Sequence, residues 1–186
     1  MRRWAALVLL VAALAGCSTA APQATEEIDG PFADCAAVVA ADVVSGLPDL
    51  TVPCFNGGMS VRLSQVKGPA VVNLWASWCG PCRAELPAFA GLAAKAEGRF
   101  TVLGVVTGDS RKAAADLAAD LGVTFPTVFD DRARLSTELV KAERASTGLP
   151  LTLFVKDGRI VHVYQGAALD QAGLDKLVGE HLGLRL

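Results

Sequence analysis

Residues 71–87, VVNLWASWCGPCRAELP, place two cysteines where a predicted strand gives way to a predicted helix. The run over residues 70–75 is almost unbroken in apolar side chains, which favours a buried central strand. The following pattern predicts a helix over about residues 80–97. Cys79 and Cys82 therefore stand at the start of that helix, with two residues between them.

The position of these cysteines predicts dithiol chemistry. A cysteine at a helix N-terminus faces unpaired backbone N–H groups and the positive end of the helix dipole, and both stabilise the thiolate. Cys79 is therefore expected to be the attacking nucleophile. Cys82 lies one turn further into the helix, so it can reach back and release a mixed disulfide as the resolving thiol.

The same stretch resembles the active-site region of TlpA/ResA-like thiol–disulfide oxidoreductases, which have the thioredoxin fold. The resemblance covers roughly residues 48–182 and includes FPTV (125–128) and GLPLT (148–152). In that family a cis-proline faces the two cysteines, which implies this role for Pro150. It also implies that the backbone of Leu149 pairs with a bound substrate chain.

Two tryptophans near the end of the central strand have different expected roles. Trp75 lies within the apolar run and is expected in the core. Trp78 directly precedes the nucleophile and is expected to belong to an exposed apolar rim that touches substrate. The resemblance also assigns active-site support to Trp78, Gly80, Pro81 and Pro150.

Asn73 and Glu85 bear on proton transfer. Thioredoxin carries a buried aspartate at the position of Asn73, whereas the TlpA-like branch usually has asparagine, which cannot exchange a proton near neutral pH. Glu85 is the candidate proton carrier, because it follows Cys82 by three residues on the same side of the helix. In the resembling family an acidic residue here lies near the cysteine pair, where it would raise a thiol pKa or shuttle its proton. The alternative is a solvated residue favoured by the helix dipole.

The remaining pattern predicts an α/β chain in which strands and helices alternate. Lys156-Asp157-Gly158 is a hairpin signal between the last two strands, and Asp170 is placed to cap a final helix. The other predicted elements are strands near residues 51–52, 61–63, 100–106 and 127–129, and helices over residues 111–121 and 132–142. With the resemblance, this order predicts a thioredoxin-like fold at residues 35–186: a mixed central sheet, helices on both faces and a short N-terminal β extension.

The N-terminus carries the pattern of an exported lipoprotein. Met1-Arg2-Arg3 is a short positive segment, and the apolar run after it is shorter than the roughly 20 residues that a membrane-spanning helix needs. The run ends in Leu14-Ala15-Gly16-Cys17, which resembles a bacterial lipobox. Residues 1–16 are thus predicted to be a signal peptide, Cys17 a lipidated N-terminus, and residues 17–34 a flexible tether. The alternative is an ordinary secretory signal with an incidental cysteine.

Counting cysteines leaves one pair outside the active site. Of the five, Cys17 is assigned to the lipid and Cys79 and Cys82 to each other. Cys35 and Cys54 are then expected to form a structural disulfide, a bond that persists in an extracytoplasmic compartment. One alternative is a second redox pair, although neither residue lies in a CxxC motif at a helix start. The other is a structural zinc site in which Cys35 and Cys54 join Cys79 and Cys82 as ligands, although such sites usually present paired ligand knuckles and Cys35 and Cys54 are 19 residues apart.

The composition excludes several classes of function. With 17 basic and 19 acidic residues and a net charge of −2, the chain lacks the positive excess of nucleic-acid-binding proteins. Its two histidines, His162 and His181, are too few and too dispersed for a His-based metal centre. No metal and no organic cofactor are therefore expected.

Together these features predict a monomeric, lipid-anchored enzyme on the outer side of the bacterial cell membrane. It is expected to exchange disulfides with exported proteins, most simply as a reductase. The resembling family usually takes electrons from a CcdA-type membrane partner and often serves apocytochrome c maturation. Three alternatives remain open: a disulfide-forming oxidase of the same fold, a non-catalytic lipoprotein binding module, and a peroxidase of the peroxiredoxin type.

Overall fold

The computed structural model describes residues 29–42 and 44–186. The predicted signal peptide, Cys17 and most of the predicted tether lie outside these residues. The strands are β1 (Thr51–Pro53), β2 (Ser60–Arg62), β3 (Ala70–Trp75), β4 (Thr101–Thr107), β5 (Thr127–Asp130), β6 (Leu151–Lys156) and β7 (Arg159–Gln165). The helices are α1 (Gly80–Ala96), α2 (Arg111–Asp120), α3 (Arg134–Lys141) and α4 (Gln171–Leu177). A π-helical turn (Val178–Leu182) follows α4, and 3-10 turns lie at Cys35–Val38 and Leu63–Gln65.

The central sheet has five strands in the order β5-β4-β3-β6-β7. β3, β4 and β5 run parallel to one another, whereas β6 is antiparallel to β3 and β7 is antiparallel to β6. All six residues of β3 are buried, as the apolar run predicts for a central strand. β1 and β2 form a separate antiparallel hairpin. The predicted mixed sheet with a short N-terminal β extension is confirmed.

Helices cover both faces of the sheet. On one face, buried side chains of α1, α2 and α4 pack with Val71, Trp75 and Phe154. On the other face, α3 and the N-terminal hairpin pack with Val72 and Leu153. This division follows from the alternation of side chains along each strand, which sends neighbouring residues to opposite faces.

Local sequence signals set most of the element boundaries. The Oγ of Ser110 accepts a hydrogen bond from the Ala113 N–H and caps α2, and Asp170 caps α4 in the same way through the Gly173 N–H. Two expectations were inexact. α3 begins at Arg134 after a residue with a positive φ of 51°, and the strand expected to include Leu63 ends one residue earlier, where a 3-10 turn begins.

Among the residues that the structure describes, no helix has both the length and the apolar character needed to cross a lipid bilayer.

Candidate active site

The paired cysteines lie where β3 ends and α1 begins. They form a disulfide, with their Cα atoms 5.3 Å apart. Cys79 is the N-cap of α1, and its Sγ accepts a hydrogen bond from the Cys82 N–H at 3.2 Å. That N–H group and the helix dipole both stabilise negative charge on Cys79. The arrangement favours the predicted roles, with Cys79 as the nucleophile and the fully buried Cys82 as the resolving thiol.

Gly80 and Pro81 form the exposed start of α1 beside the disulfide. A proline in the first turn removes no intrahelical hydrogen bond, because the N–H groups there have no carbonyl partner within the helix. These two residues therefore allow the helix to begin directly after Cys79.

Trp78 presents a large apolar surface next to the nucleophile. The residue is 65% exposed, as expected for a rim that touches substrate, whereas Trp75 is fully buried in the core. The Trp78 indole is held in place, because its Nε1–H donates to the Gly108 carbonyl at 3.1 Å. An exposed ring that is already fixed loses little conformational entropy when another chain packs against it.

Asp109 holds the active-site loop and was not identified from the sequence. Its carboxylate accepts hydrogen bonds from the Ser77 N–H at 2.5 Å, from the Ser77 Oγ at 3.0 Å and from the Ser110 N–H at 2.8 Å. The loop after β3 is thereby tied to the loop after the neighbouring parallel strand β4. The available signal was an acidic residue just after β4, since the carboxyl ends of parallel strands share one edge of a sheet.

The loop before β6 brings Pro150 to the same end of the sheet. Leu151 pairs with Leu74 in the antiparallel β3–β6 ladder, so the start of β6 lies beside the end of β3. The Leu149–Pro150 peptide bond is cis, as the resemblance implies. The Gln165 side chain holds this loop by donating to the carbonyls of Ser146 and Gly148, each at 2.9 Å.

A mainly apolar pocket opens between Trp78 and this loop. Its volume is about 350 Å³, and its walls include Trp78, Leu149 and Val140 of α3. Among the described residues, none hydrogen-bonds to the N–H or carbonyl of Leu149. The site thus combines a free backbone segment with an apolar recess beside it, which suits an extended peptide with an apolar side chain.

Glu85 is fully buried on α1, so the alternative of a solvated helix residue is wrong. Its Oε1 accepts a hydrogen bond from Asn73 Nδ2 at 2.7 Å, and its Oε2 accepts one from the Leu169 N–H at 3.2 Å. Burial raises the pKa of Glu85 to about 7, although both hydrogen bonds act to lower it. A carboxyl group with this pKa can take up and release a proton near neutral pH.

Asn73 contacts the candidate proton carrier directly, which sequence reasoning missed. Asn73 lies opposite Thr152 in the β3–β6 ladder, and its Nδ2 also lies 3.3 Å from the Thr152 Oγ1. All three side chains of this cluster, Asn73, Glu85 and Thr152, are essentially inaccessible to solvent. The available signal was the one polar residue in an otherwise apolar central strand, since a buried amide needs hydrogen-bonding partners.

Cys35 and Cys54 are joined by a disulfide with Cα atoms 6.0 Å apart. Both residues are buried, and their sulfurs lie 3.4 and 3.8 Å from the carbonyl oxygen of Thr127 in β5. Cys35 lies in a single 3-10 turn and Cys54 beside a hairpin, so neither sulfur caps an α-helix. Because both cysteine pairs are disulfides, neither offers thiolates to zinc in this structure.

The two histidines are close in space, although they are far apart in the sequence. The rings of His162 and His181 stack with centroids 3.8 Å apart, so the expectation that they are dispersed was wrong. Within residues 29–42 and 44–186, no three His, Cys, Asp or Glu side chains converge to hold a metal ion.

Comparison with known proteins gives a consistent set of relatives. The chain is 32% identical over 123 residues to the thiol-disulfide oxidoreductase ResA of Oceanobacillus iheyensis, covering 64% of this chain and 59% of that protein. It is 30% identical to ResA of Geobacillus kaustophilus, covering 67% of this chain and 70% of that protein. It is 36% identical to the DsbE homolog of Paracoccus denitrificans, covering 53% and 51%. The chain thus spans about three fifths of the Oceanobacillus protein and about half of the Paracoccus one.

Solved structures support the same fold. A DsbE-type thiol:disulfide interchange protein from Chlorobium tepidum aligns with a TM-score of 0.61 at 24% identity, covering 77% of this chain and 98% of that one. This likeness confirms the thioredoxin-like fold. The model of the AhpC/TSA family matches residues 43–163, which include the paired cysteines, Glu85 and the cis-proline loop. The chain therefore belongs to the AhpC/TSA family of thioredoxin-like proteins, with thiol–disulfide oxidoreductases of the ResA and DsbE type among its relatives.

Proposed function

We propose that the protein is an extracytoplasmic, membrane-anchored thiol–disulfide oxidoreductase that reduces disulfides of exported proteins through Cys79 and Cys82. The observation that carries this proposal is the placement of Cys79 as the N-cap of α1 with Cys82 bonded to it. The buried Glu85 one helical turn from Cys82 and the apolar pocket beside Trp78 supply a proton carrier and a peptide site. The ResA and DsbE relatives support the same chemistry.

The exchange proceeds in two steps. The Cys79 thiolate attacks one sulfur of the substrate disulfide, which forms a mixed disulfide and releases the other substrate sulfur as a thiolate. Cys82 then gives its proton to Glu85 and attacks the Cys79 sulfur. This second attack forms the Cys79–Cys82 disulfide and releases the remaining substrate thiolate, which takes up a proton. The substrate gains two electrons, and the cysteine pair loses two.

The environment of the pair favours the reducing direction. An ionised carboxylate close to a thiol raises the thiol pKa by like-charge repulsion. A thiol of higher pKa is a poorer leaving group, so its disulfide is less oxidising. Glu85 is held near Cys82 by α1 itself and is ionised above its pKa of about 7. A pair in this setting is suited to donate electrons rather than to form disulfides.

A reductase outside the cytoplasm needs an electron supply through the membrane. The resemblance to TlpA/ResA-like proteins suggests a CcdA-type membrane donor and apocytochrome c as an exported substrate. The N-terminal lipobox-like segment supports a lipid anchor at Cys17, with residues 17–34 as the tether of a monomeric domain. Two acyl chains on one cysteine suffice for stable anchoring, whereas one chain binds only marginally.

Reduction of insulin by dithiothreitol tests the catalytic proposal. The wild-type chain should accelerate insulin reduction, Cys79→Ser should abolish the acceleration, and Cys82→Ser should trap a mixed disulfide visible on non-reducing gels. The double variant Cys35→Ser/Cys54→Ser is the matched control and should keep the acceleration. Equal rates for wild type and Cys79→Ser would instead favour a binding module without catalysis.

The direction of electron transfer and the lipid anchor at Cys17 each need a separate experiment. A Cys79–Cys82 reduction potential near −270 mV, as in thioredoxin, would support a reductase, and one near −120 mV would support an oxidase. Mass spectrometry of the membrane-extracted protein should find Cys17 as an acylated N-terminus. An intact Met1, or an unmodified N-terminus beyond Cys17, would contradict the anchor.

A further inference from the structure

One buried hydrogen-bond cluster contains an atom without a partner. Asn73 Nδ2 donates to Glu85 Oε1 and to Thr152 Oγ1, while Leu169 N–H donates to Glu85 Oε2. The other end of the same amide, Asn73 Oδ1, is buried and has no hydrogen-bond partner among the described residues. A buried unpaired acceptor destabilises the folded protein. The presence of this oxygen at the centre of the sheet therefore indicates a functional role for the Asn73 amide.

The donors around Glu85 suit only one of its two protonation states. While the carboxylate is ionised, both of its oxygens accept hydrogen bonds, one from Asn73 Nδ2 and the other from the Leu169 N–H. Once Glu85 is protonated, one oxygen carries an O–H group that needs an acceptor. The Leu169 N–H is a backbone donor, so it offers no acceptor to an O–H group on Oε2. A proton on Oε1 instead faces the amide of Asn73, which carries an acceptor oxygen.

Rotation of the Asn73 amide provides the missing acceptor. Turning the amide by half a turn exchanges Nδ2 and Oδ1, which have almost the same shape. Oδ1 then lies where it can accept from the Glu85 O–H. It can also accept from the Thr152 hydroxyl, because a hydroxyl can donate as well as accept. Thr152 thus has a partner in either orientation.

We propose that Asn73 is a two-position adaptor for the buried acid, donating from Nδ2 to the ionised Glu85 and presenting Oδ1 to the protonated Glu85. The inference rests on the proposed role of Glu85 as the proton carrier of the exchange reaction. In the second step, Cys82 loses its proton, Glu85 Oε1 gains it, and the amide turns so that Oδ1 accepts a hydrogen bond from the new O–H group. Asn73 acts through Glu85 and is a positioning residue. A fixed donor such as lysine at this place could not serve the protonated state.

The hydrogen bonds that the structure gives to Glu85 and Asn73 involve no second charged side chain. The partners of Glu85 come from β3, from the segment before α4 and, through Asn73, from β6, and all of them are uncharged. On α1 itself, the nearest ionisable side chain on the same side is Cys82, which does not titrate while it is in the disulfide. In the oxidised protein, the titration of Glu85 can therefore be followed without a change in the charge of Cys82.

Nuclear magnetic resonance on the labelled full chain in its disulfide form tests the adaptor directly. The Glu85 carboxyl carbon reports protonation, and nuclear Overhauser effects from the Asn73 amide protons to the Thr152 γ-methyl report amide orientation, both between pH 4 and pH 9. These Overhauser effects should be strong at high pH and weaken severalfold with the same midpoint as the carboxyl titration. Effects that stay constant while Glu85 titrates would overturn the proposal, as would a carboxyl that does not titrate in this range.

Two variants sharpen the result. Glu85→Gln removes the titrating group, so the Asn73 signals should become independent of pH; a persisting transition would overturn the assignment to Glu85. Thr152→Val keeps the shape but removes the hydroxyl, and it should leave the transition in place because Glu85 remains. The nuclear magnetic resonance measurement requires no catalytic turnover, so its result is independent of the insulin assay. Failure of that assay with a normal amide transition would contradict the proposed function alone.

Discussion

Burial of Glu85 predicts a specific dependence of protein stability on pH. In the unfolded chain the carboxyl has its ordinary pKa of 4.5, and in the folded protein its pKa is about 7. Between these values the folded state binds more protons than the unfolded state, so the free energy of unfolding falls as pH rises. The contribution is fully favourable below pH 4.5 and is lost by the time pH passes 7. The difference between the two pKa values corresponds to about 3 kcal/mol.

The variant Glu85→Gln isolates this contribution. Glutamine keeps one of the two acceptor oxygens and cannot ionise, so the pH-dependent contribution disappears. Relative to the variant, the wild type should lose about 3 kcal/mol of unfolding free energy between pH 4 and pH 8. Glu138→Gln on α3 is the matched control, because Glu138 is partly exposed and pairs with Lys141. Its stability difference from the wild type should change by less than about 0.5 kcal/mol over the same range.

Urea unfolding of the oxidised proteins at several pH values measures these differences. The disulfides stay intact, so no thiol titrates. Groups common to wild type and variant cancel in the subtraction. A difference between wild type and Glu85→Gln that is constant from pH 4 to pH 8 would show that Glu85 has an ordinary pKa in the folded protein. The proton-carrier argument would then fail.

Three further outcomes are expected. Cys35→Ser/Cys54→Ser should lower the free energy of unfolding, measured with urea, by about 3 kcal/mol, the chain-entropy value for a loop of this size, and the variant should still accelerate insulin reduction. A variant that is stable but inactive in the insulin assay would show that the pair is a redox relay. Asp109→Ala should cost about 1–2 kcal/mol, because it removes the acceptor of two backbone N–H groups; unchanged urea midpoints would contradict its role in holding the loop. Val140→Arg places a charge in the apolar pocket and should lower kcat/KM for insulin about tenfold, a loss of about 1.4 kcal/mol, while dithiothreitol reduces the Cys79–Cys82 disulfide at an unchanged rate. Equal losses in both reactions would show that the substitution acts outside the pocket.

The sequence is informative where structure depends on short-range patterns. The buried strand β3, the start of α1 and the hairpin at Lys156-Asp157-Gly158 all follow from residues close together in the chain. The partner of Asn73 could not be found in this way, because Glu85 is twelve residues away and Thr152 is 79 residues away. Only the register of β3 with β6 and the packing of α1 on the sheet bring these side chains together.

Residues that are close together in the chain also fail to predict the contacts of the active-site loop and the start of α3. Asp109 binds Ser77 across 32 residues, so its role depends on the parallel pairing of β3 with β4. α3 starts later than expected because Ala133 has a positive φ of 51°, a conformation that no feature of its side chain favours. The burial of Glu85 likewise depends on α1 packing against the segment around Leu169, which local sequence does not encode.

The disulfide between Cys35 and Cys54 also secures one border of the central sheet. β5 is one of the two edge strands of the sheet, and edge strands present free N–H and C=O groups to other chains. Here Cys54 bridges to Val128, and the Phe55 N–H donates to the Thr127 carbonyl at 2.9 Å, so part of that border is already occupied. The Cys35–Cys54 disulfide ties the residues that cover this edge to the 3-10 turn at Cys35–Val38, so fewer free backbone groups of β5 remain for pairing with another chain.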